Sequence, residues 1–470
     1  MSTSAGQGLP RVLISAYACG PGLGSEPGAG WAVVKAAARH ARVWVMTRER
    51  FAPAIAQALA VDSFLASRVR PVYVDLPDRF LKAKRRHRDV YWYYPLWQRE
   101  AARVARRLHQ EHHFTLLHHA TFAVDWMPSG LASLAREIPL VWGPVGGASY
   151  VPPELWRWLG VRGTVHELLR SAATRTVRRL STGPTAGRAA LAVALNADTA
   201  RRFGHARDVV IAPNAVFDDP EPDDGHAAPR GRGGHAGSAE LNALFVGRLV
   251  AWKGVRLALA AVAENPQWSL TFVGEGPERE WLESAARRQG LDHRIQFLGQ
   301  LERSEVLKLM GLADALLFPS MHDSCGWVVG EAMTRGLPVV CLDLGGPPAF
   351  LADRTQAVPV GREVVAELCH RLDTIRLLAT GRGAGPGRAA DAGPEDFARG
   401  AWVMPDPSSW TQEAFTERVG QWYRRALAGP AARPAEQPAE PVPAVAPAEP
   451  GTPGTPDGAF SEGTAGHAPR

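Results

Sequence analysis

The stretch that decides the fold is ALFVGRL at 243–249, followed by SLTFVGEGP at 269–277 and RIQFLG at 294–299. Each contains a short apolar run that ends in glycine, and a segment with a helical pattern separates each run from the next. Two further runs, Ala315–Phe318 and Val339–Leu342, continue the series. Short apolar runs that alternate with helices predict a parallel sheet covered by helices on both faces.

The first half of the chain repeats this alternation. Arg11–Ala16 precedes a glycine-rich loop and a helical stretch that starts near Trp31. The runs that follow are Val43–Thr47, Val72–Val74, Leu116–His118, Leu140–Trp142 and Leu191–Leu195. The predicted fold class is therefore α/β, with two Rossmann-like domains whose parallel sheets face each other across a central cleft.

Composition divides the 470 residues into five segments. They are a first domain at 10–216, a flexible linker at 217–240, a second domain at 241–408, a helix at 409–428 that returns to the first domain, and a disordered Pro/Ala-rich tail at 429–470. The linker and the tail contain too few large apolar residues to offset their chain entropy.

The helix at 409–428 carries its own signals. Ser409 and Gln412 have the spacing of a capping box, which predicts that the helix begins there. One face is predicted to be buried, and its apolar residues are Phe415, Val419, Trp422, Tyr423 and Ala426.

Bulk properties narrow the function classes. The formal net charge of +6 is mild over this length and does not argue for nucleic acid. The four cysteines lack C-x-x-C spacing, and the fifteen histidines show no ligand pattern, so no metal site is expected. The chain shows neither a signal-peptide pattern nor an apolar run long enough to span a bilayer, which leads us to expect a cytoplasmic protein.

Two cations follow the first strand of the second half. Arg248 and Lys253 stand five residues apart after the run ALFV. The Arg248 guanidinium could bind a diphosphate through two hydrogen bonds, and the Lys253 ammonium could add a point charge. A solvated basic loop would have the same sequence pattern. Gly274 ends the next strand in a Gly-x-Gly turn that lets backbone approach a ligand, and Leu298 ends a third strand where a planar base could stack.

The most informative segment is PSMHDSCGWVVGEAMTRGLPVV at 319–340. Gly326 opens a helix, and the N–H groups of a helix start suit a phosphate. Glu331 stands among apolar neighbours on that helix, where ribose hydroxyls would serve as partners; a solvent-facing glutamate is the alternative. Asp323 precedes Glu331 by eight residues.

These motifs, in this order and spacing, resemble the retaining glycosyltransferases of family 4, which have the GT-B fold. The resemblance is tight over residues 241–345. It is looser in the first half, where it rests on SAYACGPGLGSEPGAGW at 15–31, YWYYPLWQ at 91–98, HHATF at 118–122, WGPVGG at 142–147 and PNAV at 213–216.

The resemblance implies roles for single residues. Arg248 and Lys253 would hold the donor diphosphate, with backbone N–H groups from Gly326 and Trp327. Asp323 would bind the donor sugar and Glu331 the ribose. In the first domain the glycines of the early loop (Gly22, Gly24 and Gly30) would face the phosphates and the acceptor. Either His118 or His119 would reach the transferred sugar. Both are candidates because the family's His-x-His spacing is not kept. Asp323 also departs from the family's usual glutamate.

The implied activity is a hexosyl transfer with retention, from a nucleoside-diphosphate sugar to a hydroxyl of a small molecule, glycan or lipid. No Asp-x-Asp occurs in the chain, so we expect no metal and no cofactor, and a front-face mechanism. The alternatives are a sugar-nucleotide epimerase on the same fold and a non-catalytic nucleotide-sugar-binding partner. Residues 79–107 are basic and aromatic, which fits either a peripheral contact with the inner face of the membrane or a solvated helix beside buried aromatics.

Overall fold

The computed structural model describes residues 8–23, 25–85, 89–147, 149–181, 183–204, 206–217, 241–380 and 404–429. Gly24, the predicted linker from residue 218 onward and the predicted tail from residue 430 onward lie outside these ranges.

Within the described residues, twelve strands form two parallel sheets, which confirms the predicted α/β fold class. The first sheet has the order β3-β2-β1-β4-β5-β6-β7 and the second has the order β10-β9-β8-β11-β12. In the first sheet the strands are β1 Arg11–Ala16, β2 Arg42–Thr47, β3 Val69–Tyr73, β4 Leu116–Thr121, β5 Leu140–Val145, β6 Leu191–Ala194 and β7 Val209–Ile211. In the second they are β8 Leu241–Val246, β9 Trp268–Val273, β10 Ile295–Gly299, β11 Ala315–Phe318 and β12 Val339–Cys341.

Helices connect consecutive strands and cover both sheets. Those of the first half are α1 Ser25–His40, α2 Ala52–Val61, α3 Ser63–Arg68, α4 Asp78–Ala83, α5 Val90–His112, α6 Gly160–Ser181, α7 Gly183–Arg188 and α8 Ala197–Ala200. Those of the second half are α9 Val255–Glu264, α10 Arg279–Arg288, α11 Arg303–Leu312, α12 Trp327–Met333, α13 Val364–Thr380 and α14 Gln412–Ala428.

Strand prediction worked because the central strands are apolar throughout. β1, β4, β5, β6, β8, β9 and β11 are buried along most or all of their length, so their apolar runs are continuous. β7 escaped prediction because it is a three-residue edge strand that is only partly covered.

Helix α14 packs on α1 and on the first sheet. Its residues Phe415 and Val419 are fully buried in the cluster that contains α1 and β1. The side chain of Gln412 donates to the Ala32 carbonyl at 3.2 Å. The predicted capping box is wrong: Thr411 caps the helix by accepting from the Ala414 N–H, and Ser409 lies in the preceding 3₁₀ turn.

The aromatic segment at 91–98 lies mostly inside the first domain. Tyr93, Tyr94 and Trp97 are fully buried, and the Trp97 indole donates to the Val74 carbonyl at 2.7 Å. Burial of these rings leaves Tyr91, 60% exposed, and the less exposed Trp92 at the surface of that segment. Most of the aromatic signal in residues 79–107 is therefore core packing.

Candidate active site

Three glycines end neighbouring strands of the second sheet at the edge that faces the first domain. The Gly247 N–H donates to the Val273 carbonyl at 2.9 Å, and the Gly274 N–H donates to the Gly299 carbonyl at 2.7 Å. A Cβ on Gly274 would lie 2.0 Å from the Gly247 carbonyl oxygen, and its φ is +134°. Only glycine fits there, because the two backbones touch. Gly274 and half-buried Leu298 are thus neighbours at this edge.

Lys253 and Asp323 meet at the same edge. Lys253 ends a 3₁₀ turn at Ala251–Lys253, and its ammonium forms an ion pair with the Asp323 carboxylate. The turn is held against the loop after β11, since a Cβ on Gly254 would lie 1.9 Å from the Pro319 carbonyl oxygen. Two residues that the resemblance assigns to the diphosphate and to the sugar are therefore in direct contact.

The second oxygen of Asp323 engages backbone. Its Oδ1 accepts from the N–H groups of Cys325 at 3.3 Å and Gly326 at 3.0 Å. The Gly326 N–H that sequence reasoning offers to a phosphate is thus occupied by a carboxylate of the protein. Asp323 therefore already engages the Lys253 ammonium and the Gly326 N–H, two of the groups that a donor phosphate would use.

Arg248 and Glu331 flank this centre. Arg248 is exposed, and its guanidinium makes no hydrogen bond or ion pair with the residues that the structure describes. The Glu331 carboxylate lies mostly buried and accepts from the Arg303 guanidinium at 3.0 Å. It is not the solvent-facing glutamate of the alternative interpretation.

The loop that carries Asp323 contacts the first domain. The Asn196 amide donates to the Ser324 carbonyl at 2.7 Å, and the Gly147 N–H donates to the Ser324 hydroxyl at 3.3 Å. The Trp327 indole donates to Asn214 at 3.1 Å, which ties the start of α12 to the PNAV segment. Strand ends of both sheets therefore converge on residues 319–327.

Both candidate histidines, one of which is predicted to reach the sugar, are buried inside the first domain. His118 lies between the Tyr423 hydroxyl at 2.9 Å and the Gly143 carbonyl at 2.8 Å. His119 lies 2.6 Å from the Ser129 hydroxyl and 3.0 Å from the Tyr94 hydroxyl.

The two imidazoles are neutral. Burial lowers the pKa of each histidine to about 4, against a weaker opposing effect from a backbone carbonyl. Successive strand residues point to opposite faces, so the pair occupies the two cores that flank β4. The sequence did not show that α5 and α14 pack against this strand, so it did not indicate the burial of either histidine.

The structure describes two of the three glycines assigned in the first domain. Gly22 has a φ of +69° and lies exposed in the loop after β1. Gly30 is buried inside α1, and a Cβ there would lie 2.2 Å from the Ala18 carbonyl oxygen, so Gly30 allows α1 to approach the loop after β1. Gly24 lies outside the described residues.

Glu26 is a residue to which the sequence analysis gave no role. It stands in the first turn of α1, and its carboxylate accepts from the Phe122 N–H at 2.6 Å. Burial raises the pKa of Glu26 above its usual value. A lone glutamate inside a glycine-rich segment was the available signal.

His322 is the other missed residue. Burial, followed by the charge of Arg170, lowers its pKa to about 4, so it is neutral beside Asp323. Its position directly before Asp323 in the key segment could have indicated it. Within the parts of the chain that the structure describes, no group of three or more His, Cys, Asp or Glu side chains could hold a metal ion.

Two facing sheets of this kind define a GT-B protein. Solved structures with the same fold include Anabaena HepE in complex with UDP, with a TM-score of 0.52 and 17% identity over 88% of this chain and 100% of that chain. Sucrose-phosphate synthase from Thermosynechococcus elongatus has a TM-score of 0.54 and 17% identity over 89% of this chain and 99% of that one.

Residues 237–375, which include most of the second domain, match the family of glycosyl transferases group 1. A 2-deoxystreptamine glucosyltransferase from Streptomyces kanamyceticus is 33% identical over 202 residues, which is 39% of this chain and 51% of that protein. Glycogen synthase from Mycobacterium tuberculosis is 40% identical over 114 residues, or 23% and 27% of the two chains. The matches thus span about half or less of these curated relatives.

Proposed function

We propose that this protein transfers a sugar, with retention and without a metal ion, from a nucleoside-diphosphate donor to an acceptor hydroxyl. The observation that carries the proposal is the contact of Lys253 with Asp323 beside the glycine ends of β8, β9 and β10. It gathers cations, a carboxylate and open backbone at the edge of one sheet. The matching family and the names of the two curated relatives support sugar transfer.

The cations supply the electrostatic part of the reaction. Lys253 and Arg248 stand where they would neutralise the leaving diphosphate, a role that metal ions or cationic side chains can fill. Lys253 is held in place by Asp323 and lies 5.2 Å above the Phe318 ring, so its charge is positioned before the donor arrives. A preorganised charge lowers the barrier because no reorganisation is needed during the reaction.

Asp323 and Glu331 would divide the recognition of the donor. When the diphosphate replaces Asp323 on Lys253, the Asp323 carboxylate becomes free to accept from a sugar hydroxyl. Glu331, fixed by Arg303, would accept from the ribose hydroxyls. The acceptor hydroxyl then attacks on the face that the phosphate leaves and passes its proton to that phosphate.

The acceptor is not assigned by the relatives. Their names point to acceptors as different as an aminocyclitol and a glucan. The solved structures have low sequence identity to this chain and therefore support the fold alone. The proposal therefore leaves the acceptor as a small molecule, a glycan or a lipid that carries a free hydroxyl.

Donor hydrolysis tests the proposal without knowledge of the acceptor. A panel of nucleoside-diphosphate sugars is incubated with the protein, and release of the nucleoside diphosphate is measured. Lys253→Ala should lower turnover about 100-fold, or ~3 kcal/mol, which is typical for loss of one preorganised donor. Lys308→Ala is the matched control, because Lys308 lies exposed on α11. Equal turnover of the two variants would show that Lys253 does not bind the donor diphosphate.

The same assay tests the metal-independent mechanism. Turnover in excess chelator should equal turnover in buffer, and restoration of lost activity by Mn²⁺ or Mg²⁺ would contradict the proposal. If the protein instead forms an epimerised sugar nucleotide without any acceptor, its activity is that of the alternative, a sugar-nucleotide epimerase.

A further inference from the structure

Helix α6, Gly160–Ser181, exposes its apolar side chains and buries its polar ones. Val161, Val165, Leu168 and Leu169 are 83%, 52%, 47% and 68% exposed. With Val177, also in α6, they make five of the 17 large hydrophobic side chains that are exposed among the described residues. Helical spacing puts positions 161, 165, 168 and 169 on one face, so they form a continuous stripe.

The face of α6 that packs against the protein is polar. Glu167 is buried and accepts from the Val151 N–H at 3.2 Å. Arg170 pairs with Glu167 and donates to the Ser149 carbonyl at 2.8 Å. A helix on a globular surface normally turns its apolar face to the core, and α6 does the reverse.

Charge on the exposed face has one sign. Arg162 lies exposed beside the stripe, and Arg175, also exposed, borders it on the other side. The one acidic residue in the helix sequence is the buried Glu167. An exposed apolar stripe flanked by arginines, on a helix whose single acidic residue is buried, matches the interface between water and an anionic lipid bilayer.

The helix also touches the candidate active site. The His166 ring stacks on Trp252 with ring centroids 5.4 Å apart, and Trp252 directly precedes Lys253. The outward face of α6 therefore lies one helix away from the loop that holds the diphosphate cation. Within the described part of the chain, no helix is long and apolar enough to cross a bilayer.

We infer that α6 docks this protein onto an anionic membrane surface, with Val161, Val165, Leu168 and Leu169 in the headgroup region and Arg162 and Arg175 at the phosphates. The inference goes beyond the proposed sugar transfer and does not depend on it, since membrane binding needs no donor. It also differs from the contact predicted for residues 79–107, whose main aromatics are buried.

Co-sedimentation of the full chain with vesicles tests the inference. The vesicles contain phosphatidylcholine either alone or with about one third phosphatidylglycerol. The wild-type protein should bind the anionic vesicles, and the double variant Leu168→Ser/Leu169→Ser should lose at least about tenfold in partitioning. Arg162→Gln/Arg175→Gln should lose about fivefold per arginine, on the anionic vesicles only.

Matched controls separate this face from others. Val61→Ser/Leu312→Ser removes two equally exposed apolar side chains from α2 and α11 and should bind as the wild type does. Val161→Ser/Val165→Ser repeats the test at the other end of the stripe, and melting temperatures check that each variant folds.

Three outcomes would overturn the inference. The first is a wild-type protein that ignores anionic vesicles. The second is loss of vesicle binding in the variant Tyr91→Ser/Trp92→Ser together with unchanged vesicle binding in Leu168→Ser/Leu169→Ser. The third is a dimer that Leu168→Ser/Leu169→Ser converts to a monomer with unchanged vesicle binding, because a second copy would then cover the stripe.

Discussion

At the scale of single residues, Asp323 connects two parts of the site that sequence reasoning kept separate. Its carboxylate pairs with Lys253 and accepts from the Gly326 N–H. A donor diphosphate would need the same ammonium group. In the proposed function, Asp323 would therefore compete with the diphosphate for Lys253, in addition to any contact with the sugar.

Asp323→Asn should tighten the binding of a bare nucleoside diphosphate. The amide oxygen still accepts from the Gly326 N–H, but the competing charge is gone, and loss of a partly exposed ion pair is worth about 1 kcal/mol, or roughly fivefold. Titration calorimetry measures the affinity. Asp373→Asn, which removes the partner of Arg376 on α13, is the control and should leave affinity unchanged. Weaker binding by Asp323→Asn would show that the carboxylate does not oppose the diphosphate.

Glu26→Gln should make the protein more stable relative to the wild type as pH rises. Burial raises the folded-state pKa of Glu26, so its contribution to stability is complete below the unfolded-state pKa and is lost as pH rises through the folded value. Glutamine keeps an acceptor for the Phe122 N–H and carries no charge.

Melting temperatures at acid, neutral and alkaline pH test this prediction. The difference between Glu26→Gln and the wild type should grow in favour of the variant from acid to neutral pH. Glu280→Gln, at an exposed position on α10, should show no such trend. A difference that does not change with pH would mean that Glu26 is not desolvated.

At the scale of elements, α14 links the end of the described chain to the first domain. The Tyr423 hydroxyl lies 2.9 Å from His118, a contact between residues 305 positions apart. Arg425 forms a second link through its ion pair with Asp208. The helix thus completes the core on one side of β4.

Phe415→Ala should lower the free energy of unfolding by about 3–5 kcal/mol, the usual cost of removing a buried phenylalanine. Phe415 is fully buried against α1, whereas Leu427 on the same helix is exposed. Leu427→Ala is therefore the control and should cost less than about 0.5 kcal/mol. Urea unfolding measures both, and equal costs would show that α14 does not anchor on the first domain.

Elements also show why α6 escaped the sequence analysis. Its apolar residues recur at helical spacing, as they do in any amphipathic helix. Periodicity identifies the stripe but not the direction in which it faces. Only the hydrogen bonds of Glu167 and Arg170 to residues 149–151 show that the polar face is the buried one.

At the scale of the whole molecule, the two sheets meet through the loops after β11 and β12. Asp198 accepts from the Gly345 N–H at 3.2 Å, and Asn196 bonds to Ser324. These contacts bring the strand ends of the first domain to the loop that carries Asp323. Part of the candidate site therefore lies between the domains and depends on how they pack.

The sequence by itself determined the alternation of strands and helices, the positions of glycine at the ends of β8, β9 and β10, and the buried face of α14. These are local patterns, because burial of a strand or of a helix face dictates apolar residues at fixed spacing. The tertiary structure alone decided the pairing of Lys253 with Asp323, the burial of His118 beneath Tyr423 and the outward face of α6. Those features join residues far apart in the chain, so their energies depend on packing that no local pattern records.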